Sequence, residues 1–283
     1  MTHAVLSAAV DDGTHPFDRA IALRADGANV FIGEARRDYW AFVGQFGGVT
    51  AATLLHALMS HPDASGQPVA LTVNFAAPIE QGAFRLKVRC VRANRSTQHW
   101  ALEIRQGDDP MPRTTASAVL AERRESFDHQ CALPPSLPPI DKLQELVLPD
   151  TVPWVRRYRF WFASGAPMRA REPLSPPGTA ASLFRLADAD EREIDLLSLA
   201  SMADTFFGRI FQVRGQIVPF GTVSLTTYFH SDIDELKAIG ARSVVARVDA
   251  RRFHRSFSDH SGELWSPCGR LLATSHQVAY FKA

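Results

Sequence analysis

Hydrophobic positions along the chain recur with two periods. Phe84, Leu86, Val88 and Cys90 alternate with Arg85, Lys87 and Arg89, and Trp100, Leu102 and Ile104 alternate with Ala101, Glu103 and Arg105. A period of two belongs to strands with one buried and one wet face, which predicts strands at 84–91 and 98–106. Further strands are expected at 69–75 and 113–122. Near the start, 19–23 and 30–35 flank Asp26-Gly27, a dipeptide that favours a tight hairpin. Between these, Gly44-Gln45-Phe46-Gly47-Gly48 opens an apolar stretch at 49–59 that stops at Ser60-His61-Pro62 and reads as a buried helix. Its His56 could serve as a base, but a hydrogen-bonded core or rim histidine is the commoner role.

The second half shows a similar order. Strands are expected at 157–162 and 183–187, a helix at 193–208, then strands at 222–230, 243–251, 255–265 and 270–281. The helical stretch carries Ile194, Leu196, Leu197, Leu199, Met202, Phe206 and Phe207 over more than half its circumference, so it belongs inside. On a helical wheel Asp204 falls between Leu197 and Ala200, at the edge of the apolar arc, where an ionised carboxylate needs a partner or a task. Asp195, in the first turn, is explained by the helix dipole.

Ten of the 18 prolines lie between Pro134 and Pro177. Proline cannot donate to a sheet ladder, so the zone is linker and loop. It divides the chain into a first unit at 1–126, a proline-rich linker at 127–150 and a second unit at 151–283. The units look duplicated. Leu71-Thr72-Val73-Asn74-Phe75 lies over Leu225-Thr226-Thr227-Tyr228-Phe229 at an offset of 154, and near the ends Ser117 falls on Ser275 and Ala121 on Ala279. The expected class is α+β, with each copy an antiparallel sheet wrapped around a central helix.

Composition narrows the function. Lys plus Arg (31) balance Asp plus Glu (30), which argues against a nucleic-acid or anionic-membrane partner, and the local runs Arg156, Arg157, Arg159 and Arg251, Arg252, Arg255 read as solvated faces. Cys90, Cys131 and Cys268 form no Cys-x-x-Cys pair, so neither a disulfide framework nor a thiolate zinc site is expected. No apolar run is long enough to span a membrane, and the opening Met-Thr-His-Ala-Val-Leu-Ser lacks the pattern of a signal peptide, so the cytoplasm is the expected compartment. Gly-x-Ser-x-Gly, the phosphate-binding loop, Gly-x-Gly-x-x-Gly and His-Glu-x-x-His are all absent. What stands out is polar residues within apolar elements of the second copy: Asp204, and Gln277 in the last strand. At offsets of 158 and 154, Gln277 falls on Val119 and Thr222 on Pro68, so one copy looks equipped and the other bare.

The order of elements, the doubling, and the segments Phe46-Gly47-Gly48, Leu71-Thr72-Val73-Asn74-Phe75, Ala203-Asp204, 221–230 and 264–273 together resemble acyl-CoA thioesterase II and the wider thioesterase-like double hot-dog proteins. The resemblance covers roughly residues 17–281 and implies two hot-dog units in one chain. It also implies a water, bound by an Asp, a Thr and a Gln, that attacks an acyl thioester such as acyl-CoA; these are Asp204, Thr222 and Gln277 here. Backbone N–H groups at a helix N-terminus would stabilise the developing oxyanion. No metal or other cofactor is implied, and homo-oligomerisation stays open. The chain has Ser224-Leu225 where acyl-CoA thioesterase II has Asp-His, and Gly-Gly-Val in place of Gly-Gly-Gln, which places it among the broader relatives. Thr226 and Thr227 are alternatives to Thr222. A structural pair of Asp204 and Gln277, a non-hydrolytic acyl-thioester-binding module, and a dehydratase or hydratase using His230, His254, His260 or His276 with an acid are the competing readings.

Overall fold

A computed structural model describes residues 13–147, 152–167 and 180–282. The N-terminal heptapeptide, the end of the expected linker at 148–150, and Pro149, Pro173, Pro176 and Pro177 lie outside the described residues. In the first half, α1 (Pro16–Ala20), β1 (Arg24–Ala25) and β2 (Val30–Ala35) precede α2 (Gly47–Met59), followed by β3 (Gln67–Phe75), β4 (Gly82–Ala93), β5 (Thr97–Arg105) and β6 (Thr114–Ala121). The second half comprises β7 (Gln144–Glu145), β8 (Tyr158–Ser164), β9 (Ser182–Asp188), α3 (Leu196–Met202), α4 (Arg209–Arg214) and β10 (Phe220–Phe229). It ends with α5 (Ile233–Ile239), β11 (Ser243–Asp249), β12 (Phe253–His254), β13 (Phe257–Trp265) and β14 (Leu271–Phe281).

The strands of both halves form one antiparallel sheet in the order β1-β2-β4-β5-β6-β3-β10-β14-β13-β11-β9-β8-β7, with β12 paired to β13. The two expected sheets are therefore joined, edge to edge, where β3 pairs with β10 from Asn74–Ser224 to Ala70–Tyr228. Joining removes two edge strands that would otherwise expose unpaired backbone. Helix α2 is buried around its circumference, with Val49, Ala51, Ala52, Leu54, Leu55 and Leu58 all at or below 1 % exposure, as a core helix should be. It packs directly on α3: a Cβ on Gly48 would collide with the Ser201 carbonyl oxygen. The doubled hot-dog layout is thus one sheet curved around two helices in contact. No described helix is long and apolar enough to cross a membrane.

Three expectations are corrected. The segment at 19–23 is not a strand, because Pro16 starts a short helix whose first turn is capped by His15 Nδ1 accepting from Phe17 N–H at 3.1 Å. The helix expected at 193–208 is only Leu196–Met202, with Asp195 as its N-cap accepting from Ser198 N–H at 2.7 Å. It stops because Thr205 Oγ1 donates to the Met202 carbonyl at 2.7 Å while the backbone tightens through Asp204 N–H to Ser201 O. Phe206 and Phe207 owe their apolar character to a cavity, not to a helix face. Finally, the strand at 255–265 is broken by Arg255 and Ser256, both at positive φ, which turn β12 into β13.

Sheet register also corrects the repeat. Thr222 pairs with Ala279 before a bulge that ends at Ser224, and Pro68 pairs with Leu120 before a bulge that ends at Ala70. The bulge is duplicated at the offset of 154, but the last strands are offset by 159 (279 − 120). Gln277, opposite Leu225, consequently corresponds to Ala118, opposite Leu71, rather than to Val119. A slip of one residue would have turned it to the other face of the sheet.

Candidate active site

Asp204 sits in the turn after α3, buried beneath both halves of the chain. Thr222 reaches it from the head of β10, where the bulge re-aims the strand, and Gln277 reaches it from the middle of β14. Both donate to the same oxygen: Thr222 Oγ1 lies 3.0 Å and Gln277 Nε2 2.7 Å from Asp204 Oδ1. The three residues expected from sequence are therefore together. The alternatives to Thr222 are elsewhere, since Thr226 Oγ1 meets Thr72 Oγ1 at 3.0 Å and Thr227 is buried with its hydroxyl unpaired.

The other face of the carboxylate meets the first half. Gly48 N–H, at the N-terminus of α2, donates to Asp204, and a Cβ on Gly47 would come within 2.5 Å of Asp204 Oδ2. Only a residue without a side chain allows this approach. Burial raises the Asp204 pKa from its ordinary 3.8 to about 7, against the opposing pull of donors from Thr222, Gly48 and Gln277.

Asp204 and Thr222 open onto a cavity of about 450 Å³. Phe46 and Phe75 from the first half, Phe206, Phe207 and Phe220 from the second, and Trp154 between them give it aromatic walls. Phe46 stacks on Trp154 with ring centres 4.2 Å apart. Phe42, Val43 and Ile217 at its rim are more than half exposed. Such a site suits an apolar group leading to a reactive polar end. A separate polar depression of about 760 Å³ lies by the far end of β10, where His230 and Asp232 are the 154-offset counterparts of Ala76 and Pro78 in the cavity wall. Its cations are already engaged: Arg270 with Glu235 and Asp128, Arg123 with the carbonyls of Phe229 and His230.

Of the four histidines that could have paired with an acid, His260 Nδ1 faces Gln277 Oε1 at 3.0 Å, His230 meets Thr274 and His276 meets Ser261. His254 is exposed. His56 bonds to the Ile21 carbonyl at 2.9 Å, in the rim role expected for it. Sequence reasoning missed the part played by Gly47, Gly48 and Phe75, since nothing local ties them to Asp204. The signals available were the glycine pair at the head of a buried helix and the place of Phe46-Gly47-Gly48 and Leu71-Thr72-Val73-Asn74-Phe75 among the segments that carry the resemblance.

Residues 36–121 match the family model for the acyl-CoA thioesterase N-terminal domain, and residues 131–281 match that for the acyl-CoA thioesterase C-terminal domain. A search of curated proteins gives no match. Among solved structures, a conserved protein of unknown function with a hot dog fold from Alicyclobacillus acidocaldarius superposes with a TM-score of 0.88 at 40% identity, covering 95% of this chain and 99% of that one. A candidate thioesterase II from Thermobifida fusca (TM-score 0.80, 18% identity, 95% and 98% covered) and an acyl-CoA thioesterase II from Mycobacterium marinum (0.72, 16%, 94% and 98%) share the fold. With both of its halves matched in order and a relative at 40% identity over nearly its whole length, the chain belongs to the acyl-CoA thioesterase family.

Proposed function

We propose that the protein hydrolyses acyl thioesters, with acyl-CoA as the substrate class, through water activated by Asp204. The observation that carries this reading is the convergence of Thr222 Oγ1 and Gln277 Nε2 on one oxygen of a buried carboxylate at the edge of an apolar cavity. In the reaction, a water held by Thr222 and by Asp204, whose carboxylate Gln277 fixes in place, attacks the thioester carbonyl carbon while Asp204 takes its proton. A base with a pKa of about 7 is matched to neutral pH. The carbonyl oxygen becomes an oxyanion within the field of the N-terminus of α2, the positive end of a 13-residue helix. Collapse of the tetrahedral species breaks the C–S bond, and Asp204 returns the proton to the leaving sulfur. The products are a carboxylic acid and a free thiol, with no covalent enzyme intermediate.

The aromatic cavity would hold the acyl chain, and its apolar rim would admit it. The test follows thiol release by purified protein over a series of acyl-CoA chain lengths. Wild type should turn over, and Asp204→Asn should lose ~10²-fold or more in kcat, the scale of positioned acid–base help. Turnover by Asp204→Asn at the wild-type rate would remove Asp204 as the base. Tight acyl-CoA binding without thiol release by wild type would select a binding module instead.

A further inference from the structure

His260 and Gln277 are directly opposite each other in the ladder between β13 and β14, so their side chains leave the same face of the sheet. The Gln277 amide is chemically constrained. Its nitrogen lies 2.7 Å from Asp204 Oδ1 and 3.3 Å from the Ala203 carbonyl oxygen, and both are acceptors. The NH₂ group must therefore face Asp204, and Oε1 must face the opposite way, where it meets His260 Nδ1 at 3.0 Å. An oxygen there needs a donor. The other arrangement, with the histidine proton on Nε2, would set two lone pairs against each other. The amide would relieve that clash by flipping, and its oxygen would then point at the Asp204 carboxylate.

We infer that His260 is a positioning residue whose Nδ1–H locks the Gln277 amide, so that Gln277 presents a donor and not an acceptor to Asp204. The inference rests on the hydrolytic reading of Asp204. Its surroundings hold the ring in this role. His260 is 1 % exposed and lies parallel to Phe220, with ring centres 5.7 Å apart and planes 6° from parallel, so the ring cannot easily turn. Its Nε2 is buried and makes no hydrogen bond, as expected of the unprotonated nitrogen. The charged groups around it are Arg209, fully buried at the start of α4, and its neighbour Asp259. Burial, followed by the Arg209 charge, pulls the His260 pKa down to about 3, which keeps the ring neutral at any pH where the site works. A neutral ring has one proton to place, and Gln277 dictates where. His260 is not a base in this scheme: it faces an amide oxygen and stands behind Phe220, a wall of the cavity.

The test has a spectroscopic arm that needs no variant. Nitrogen-15 NMR of wild-type protein should show His260 as the neutral Nδ1–H tautomer, without titration from pH 5 to 9. An Nε2–H tautomer, or a ring that titrates in that range, overturns the inference. The kinetic arm compares two substitutions. His260→Phe keeps a flat ring against Phe220 but has no donor, and should lower kcat ~10-fold, the equivalent of one hydrogen bond, with KM within ~2-fold. His260→Asn places an amide N–H close to where Nδ1–H lies and should restore kcat to within ~3-fold of wild type. Equal losses in both variants, or no loss in His260→Phe beside an inactive Asp204→Asn, would overturn the positioning role and leave the hydrolytic reading intact. Full activity of Asp204→Asn would overturn that reading, and the inference with it.

Discussion

Thr72 and Thr226 face each other across the seam between β3 and β10 with their hydroxyl oxygens 3.0 Å apart, and they are separated in sequence by 154 residues. That separation is the offset at which the two halves align. Each threonine therefore meets its own counterpart, which places a local pseudo-twofold axis between them. The axis gives the seam two equivalent ends. At one end stand Thr222 and Gln277 with Asp204; at the other, the counterparts of Thr222 and Gln277 are Pro68 and Ala118. The frame occurs twice, but these polar groups are present at only one end.

The threonines of β10 should separate cleanly by substitution. Thr222→Val removes a donor to Asp204 Oδ1 and should lower kcat roughly 10-fold, the cost of about one hydrogen bond in the transition state. Thr226→Val removes only the contact with Thr72 at the seam. It should leave kcat within about twofold of wild type while costing about 1 kcal/mol of stability. Steady-state kinetics and thermal melts on the two variants check this, and equal kinetic effects would mean that Thr222 has no special role.

The pH–rate profile follows from Asp204. A base must be ionised, and burial places its pKa at about 7, so kcat/KM should fall about tenfold per unit as pH drops below 7. Above 7 it should level off. Stopped assays of thiol release between pH 5 and 9 would read the inflection, and a plateau extending down to pH 5 would contradict the assignment.

The same shift bears on stability, with the opposite sign from an ion-paired carboxylate. Because the folded pKa is raised from 3.8 to about 7, the folded state holds more protons than the unfolded chain within that window. Stability contributed by the protonated acid is then lost as pH rises from about 4 to 7. Asp204→Asn, which cannot ionise, should gain on wild type over this window, and the difference in Tm between the two should move in the variant's favour as pH rises. Differential scanning calorimetry at pH 4.5, 6 and 8 would show a constant difference if the acid were not buried in this way.

Much of the frame was legible because it depends on local periodicity. Leu86, Val88 and their alternating neighbours specify a half-buried strand wherever they fold, and Val49 to Met59 specify a core helix. The errors have a common physical origin: apolar residues serve more than one purpose. Phe206 and Phe207 read as a helix face but line a cavity, and Thr205 ends the helix through a side-chain bond that periodicity does not register. The capped helix from Asp232 to Gly240 carries ordinary start and stop signals, but it is only seven residues long between two strands. The candidate acid could be singled out by its misfit among apolar neighbours. Its contact with Gly47 and Gly48 could not, because 156 residues separate Gly48 from Asp204 and only the joined sheet and the packing of α2 on α3 bring them together.

That contact yields the most discriminating stability test. The two glycines are adjacent, but a Cβ would meet different things. On Gly48 it would strike the Ser201 carbonyl, a backbone atom of α3 that cannot swing aside, so Gly48→Ala should force the two central helices apart at a cost of about 1–3 kcal/mol. On Gly47 it would come within 2.5 Å of Asp204 Oδ2 and 3.1 Å of the Phe75 ring, both side-chain atoms with some freedom to move. Gly47→Ala should therefore retain most of the fold and displace the carboxylate from Thr222 and Gln277, lowering kcat by about 10-fold or more. Melting temperature and kcat measured on both variants should dissociate, with Gly48→Ala dominated by lost stability and Gly47→Ala by lost turnover. If Gly47→Ala retained wild-type kcat, the approach of α2 to Asp204 would have no part in the chemistry.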